Sequence, residues 1–199
     1  MAVIRGNEVN KKLLAILVIL VLILITGCKT TTDKEDANSF IFENEYEVII
    51  GRDDYTLKGF VGETPLNLKL KADPRDIKDI PSEKDIKTKL LPASLIFITL
   101  KPNLTSTAVV AATEISKITA HQSLFRTKTL GALTEKSNNE AAPVITCADA
   151  TREQKVIYLK LSDKTKISSS NNCIILEGKT EQDLVRAADK LILQLLGIL

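Results

Sequence analysis

Thirteen uncharged apolar residues, Leu13 to Ile25, run without a break near the N-terminus. A helix that is apolar all round needs cover on every side, and a small soluble domain has too little protein to supply it. The run is also short for a bilayer span, which takes roughly 18 or more apolar residues. Arg5, Lys11 and Lys12 precede it, and small residues lead from it to Cys28. A basic stretch, an apolar core and a small-residue exit are the parts of an export signal. The basic residues favour keeping the N-terminus inside. Two readings stay open here: a processed signal ending at Cys28, or an uncleaved anchor with an incidental cysteine. Both place the rest of the chain outside the cytoplasm and hold it at a membrane.

Ile25-Thr26-Gly27-Cys28 resembles the lipobox of secreted lipoproteins, an aliphatic residue and two small ones before the cysteine. Ile25 stands where leucine is commoner, and Thr26 takes the next position. The resemblance covers the export segment alone. It implies that Cys28 is lipidated and becomes the new N-terminus, so residues 1–28 act as signal and anchor.

Charge sharpens the division. Residues 1–28 carry Arg5, Lys11 and Lys12 against Glu8, and the whole chain 27 basic against 25 acidic residues, which leaves 24 of each sign beyond Cys28. The exported part is formally neutral, which removes the electrostatic case for a nucleic-acid partner. Cysteines divide in the same way. With Cys28 at the processing site, Cys147 and Cys173 remain as an even pair in an oxidising setting. One disulfide between them would contribute roughly 3 kcal/mol by closing a loop. Two buried free thiols are the alternative. A metal site is disfavoured, because structural zinc needs four ligands and no histidine lies nearby.

Residues 29–39 are polar and read as a flexible tether. A single α/β domain is expected over 40–199, a mixed sheet with at least two packed helices, the second at the C-terminus. Its front, 40–70, reads as a small β-rich part. Phe40–Phe42, Tyr46–Ile50 and Tyr55–Val61 read as short strands, and Leu66–Leu70 as another, where apolar and polar residues alternate. Residues 71–92 hold Pro74, Pro81 and Pro92 and read as a connector, its charges a solvated face. The back half, 93–199, is better patterned. Ser94–Leu100 is a continuous apolar run, as in a strand buried on both faces. A helix follows from about Ser106 to Gln122, and Phe125 to Leu133 is left unassigned. Val144–Cys147, Gln154–Leu161 and Cys173–Leu176 read as strands, with a polar turn region between the last two. Thr180 is a good N-cap for a closing helix with Leu184, Ala188, Leu191 and Leu195 on one face. Ile98, Leu100 and Val109 to Ile115 recur as Ile174, Leu176 and Val185 to Leu191. The echo predicts parallel strands in one sheet, with helices packed alike.

The search for chemistry returns almost nothing. His121, the chain's one histidine, reads as a surface residue of the first long helix. Neither a serine-hydrolase elbow nor a phosphate-binding glycine loop is present. Asp53, Asp54, Asp73 and Asp76 lack calcium-loop spacing. The absence of tryptophan argues against a sugar cleft or a nucleic-acid platform. No catalytic residue, cofactor or metal is therefore expected. Asn103-Leu104-Thr105 is an N-glycosylation sequon in the loop before the first long helix.

Pro143-Val144-Ile145-Thr146-Cys147, then Asn172 to Gly178 and a closing helix ending at Leu195-Leu196-Gly197-Ile198, resembles the C-terminal α/β unit of archaeal cell-envelope proteins related to S-layer subunits. Leu95 to Ile118 is similar to another piece of that group. The likeness spans about the last hundred residues and implies an envelope structural or assembly role. The expectation is a membrane-anchored surface lipoprotein with a structural or protein-binding role and an envelope protein as partner. A small-molecule-binding or enzymatic lipoprotein is the alternative.

Overall fold

The computed structural model describes residues 38–91, 93–137 and 142–199. The export segment Leu13–Cys28, the lipidation site at Cys28 and most of the tether lie outside the described residues. Ala37–Leu199 makes one compact unit.

The unit opens with an antiparallel meander. Its strands are β1 (Ser39–Phe42), β2 (Tyr46–Ile50), β3 (Tyr55–Val61) and β4 (Thr64–Leu70), in the order β1-β2-β3-β4. Ser39 pairs with Ile49, so the sheet begins inside the stretch read as tether. Period-2 alternation makes the sheet two-faced. Val48, Leu57 and Leu68 sit side by side in register and are buried, while Glu47, Lys58 and Asn67 form the exposed neighbouring row. Gly59 is required on the inner face, because a Cβ there would lie 2.6 Å from the Tyr46 ring.

Two short helices follow, α1 (Pro74–Ile77) and α2 (Ile86–Leu90). The segment read as a solvated connector buries Ile77, Ile80, Ile86 and Leu90. Its prolines do cut it short, but the apolar side chains between the charges pack inward.

The back half is a five-stranded sheet ordered β6-β5-β7-β9-β8. Its strands are β5 (Leu95–Leu100), β6 (Lys128–Leu133), β7 (Gln154–Leu161), β8 (Lys166–Ser170) and β9 (Cys173–Gly178). All are parallel except β8, which runs antiparallel to β9. The long helices are α3 (Ser106–Thr119), after β5, and α4 (Glu181–Leu196), after β9. They pack on each other, α3 against β5 and β6 and α4 against β7, β8 and β9. The α/β class with a β-rich front is thus present, and the internal echo has a physical basis. Ile98, Ile157 and Ile174 share one row across β5, β7 and β9, and Leu100, Leu159 and Leu176 another.

Helix α4 is the central element. Eleven of its side chains are buried, including Asp189 and Lys190. Burial all round requires cover beyond the parallel sheet. The meander and connector supply it, since Val48, Leu57, Leu70 and Ile77 join the same core cluster as Leu184 and Leu191. Asp189 fixes the junction. Its Oδ2 accepts from the backbone N–H groups of Lys71 and Ala72, both at 2.8 Å. Lys190 donates to the carbonyl of Lys78 at 2.8 Å.

On the opposite face of the parallel sheet, Phe97, Val156 and Cys173 form a second, smaller core. Cys147 and Cys173 are joined there by a disulfide, with Cα atoms 5.3 Å apart. One correction concerns Val144–Cys147, read as a strand. Val144 makes only an isolated bridge to Leu133, and Cys147 opens a 3-10 turn, Cys147–Asp149, capped by Thr146. Val144 pairs with the edge of β6 at that bridge alone, and Ile145 and Cys147 pack over the sheet face against the smaller core. A second correction is β8, which occupies part of the polar turn region.

Candidate binding groove

The carboxyl ends of β5 and β6 and one flank of α3, from Val109 to Ser116, enclose an open groove of about 460 Å³. Ile98 and Leu100 of β5 form its floor, Val109 and Ala112 of α3 one wall, and Gly131 and Leu133 of β6 the other. Pro102, Leu104 and Ala142 make the rim. Strand β6 is at the edge of the sheet, and nothing lies within 4 Å of a Cβ built at Gly131. Helix α3 therefore turns a flank of small and β-branched residues toward open space, and Val109 is 49% exposed. Its counterpart in the echo, Val185, is buried, because α4 is covered by the meander and connector.

Among the described residues no ionisable side chain lines the groove. Its two hydroxyls are already used. Thr113 donates to the carbonyl of Val109 and Ser116 to that of Thr113, each at 2.8 Å. The lining thus offers apolar area and shape, with no group free to move a proton or attack a bond. The end of the outer edge of β6 is covered by the chain itself. The Leu133 N–H donates to the Pro143 carbonyl, and the Ile145 N–H to that of Leu133, both at 2.9 Å.

Glu181 sets the position of α3. Its carboxylate accepts from the Thr105 N–H at 2.9 Å, the Ala108 N–H at 3.2 Å and the Thr105 hydroxyl. These bonds, the Thr105 hydroxyl first, hold the Glu181 carboxyl below its usual range. An acid from the first turn of α4 therefore satisfies the N-terminal amides of α3.

Other polar clusters are structural. Glu83 accepts from Lys89 Nζ at 2.6 Å, from the Ser169 hydroxyl at 2.5 Å and from the Ser169 N–H at 2.8 Å. These bonds, Lys89 first, hold its pKa down to about 2. The same acids keep Lys89 protonated, its pKa raised by Glu83 and then Asp85, so it cannot serve as a base for Ser169. The cluster instead seals the outer edge of β8, where Ser82 bridges Ile167.

The residues singled out in the sequence do not converge. Asn103 is exposed in the β5–α3 loop, and His121 is exposed in the turn after α3. Asp54 pairs with Lys69, and Asp73 caps α1 and pairs with Arg75. Among the described residues no cluster of acids, histidines or cysteines is suited to a metal ion, and no helix is long and apolar enough to cross a membrane. Sequence reasoning missed the groove, since one wall is the unassigned β6. The available signal was Val109-Val110, two apolar residues beside the alanine stripe that faces the core.

Fold and groove together define a domain in which two helices are shared between an antiparallel meander and a mainly parallel sheet, with an apolar cleft at one edge. No family model, curated protein or solved structure matches the chain.

Proposed function

We propose that this chain is a membrane-anchored lipoprotein of the cell envelope that binds a protein partner through the α3–β6 groove. The groove carries the reading: its described lining is open and mainly apolar, which suits side-chain docking. The lipobox-like run up to Cys28 supports the location, with residues 29–37 as tether. The likeness of the last hundred residues to S-layer-related envelope proteins supports a structural or assembly role. It is carried by β9 and α4 more than by Val144–Cys147.

A second reading rests on size. A cleft of about 460 Å³ lies within the roughly 300–1,000 Å³ range of small-molecule sites. The bound molecule would be uncharged and apolar.

A photo-crosslinking residue at Val109 of the full chain, activated in intact membranes, separates the two. The expected result is one discrete protein adduct, absent when the crosslinker stands at Lys58 on the exposed meander face. Labelling of a small apolar molecule alone would replace the first reading with the second.

A further inference from the structure

We propose that Asn103 is an N-glycosylation site, and that the first sugar lies in a shallow cleft beside it. The proposal rests on the extracytoplasmic location read from Leu13–Cys28, and is independent of what the groove binds.

Asn103-Leu104-Thr105 fulfils the acceptor pattern. Asn103 sits on the turn closed by the Leu104 N–H and the Lys101 carbonyl at 3.2 Å, and its side chain is exposed. Next to it is a cleft of about 220 Å³, lined by Lys101, Leu104, Tyr158, Lys160 and Leu161. Leu161 is 47% exposed there. A pyranose has an apolar face and a hydroxyl rim, and this cleft offers an aliphatic and an aromatic surface flanked by lysines. Leu104 also forms the rim of the α3–β6 groove, so a glycan on Asn103 borders the groove without filling it.

In the folded chain the Thr105 hydroxyl is bound by Glu181. That contact spans 76 residues of sequence and forms only when the last helix docks. During export the sequon emerges well before α4, so the hydroxyl is free when a transferase meets it. The donor is a glycan linked through phosphate to a membrane lipid. Asn103 Nδ2 attacks the anomeric carbon, a C–N bond forms, and the C–O bond to phosphate breaks. The lipid phosphate leaves, one amide proton goes to a base, and no electrons are exchanged.

The test is mass spectrometry of the full protein purified from the cells that make it, read on the tryptic peptide Leu90–Lys117 and on the N-terminal peptide. The expected result is a saccharide mass on Asn103 in the wild type and in Thr105→Ser, which keeps the hydroxyl. Asn103→Gln, a change at an exposed side chain, should lose it completely. Bare Asn103 on molecules that start at lipidated Cys28 overturns the glycosylation site and leaves the export reading standing. Bare Asn103 on molecules that retain residues 1–27 and an unmodified Cys28 overturns the site and the lipoprotein reading together.

Discussion

Asp189 shows how much one side chain decides in this fold. It stands on the buried face of α4 and holds the entry to the connector by two backbone N–H groups, while its Oδ1 has no partner. Burial pushes its pKa from 3.8 up to about 7. The two amide bonds and Lys71 oppose the rise, and Glu114 on α3 adds to it. The folded protein therefore keeps a proton that the unfolded chain has already released. Its contribution to stability is fully present below about pH 4 and is lost as pH rises through about 7. Urea titrations between those limits should show this decline, and Asp189→Asn should flatten it. Asp189→Ala leaves two buried donors unpaired, at about 1–3 kcal/mol each, and should lower stability across the range. None of this was legible in the sequence, where nothing singles out Asp189. Its value depends on Lys71 and Ala72, more than a hundred residues away in the chain.

Elements were legible in proportion to how completely they are buried. Strand β5 declared itself by an unbroken apolar run and α4 by its four-three-four stripe, since both lie in the middle of the molecule. In the meander Leu66–Leu70 declared itself by alternation, since one face is covered and the other is wet. Edge strands gave no such signal. Of β8 only Ile167 is buried, so Lys-Ile-Ser-Ser-Ser passes for a turn. Strand β6 is covered only at Ala132 and Leu133. The Val144–Cys147 segment misleads in the opposite sense, since Ile145 and Cys147 are apolar because they pack over a sheet face. The disulfide holds that cover to β9. Cysteine count and compartment pointed to the pair before any geometry. Closing a separation of 26 residues contributes roughly 3 kcal/mol. Reduction, or Cys147→Ser with Cys173→Ser, should lower the unfolding free energy by about that amount in denaturant titrations. It should leave the meander and α4 folded, because they belong to the other core.

At the scale of the whole molecule, charge, cysteine use and apolar surface agree. The part beyond Cys28 is formally neutral, and its disulfide fits an oxidising compartment. Among the described residues it presents a three-layer body with an open apolar cleft between α3 and β6. A binding module fits these properties, and a tether at Cys28 would raise the local concentration of partners in the same membrane. Lipid attachment at a processed Cys28 is the central claim, and it ties the proposed envelope partner and the proposed glycan at Asn103 to the outer face of a membrane. Mass spectrometry of the N-terminal peptide from the membrane fraction tests it most directly. The expected species begins at Cys28 and carries lipid mass on that residue. A chain that retains Met1 or Ala2, with Cys28 unmodified, would contradict it.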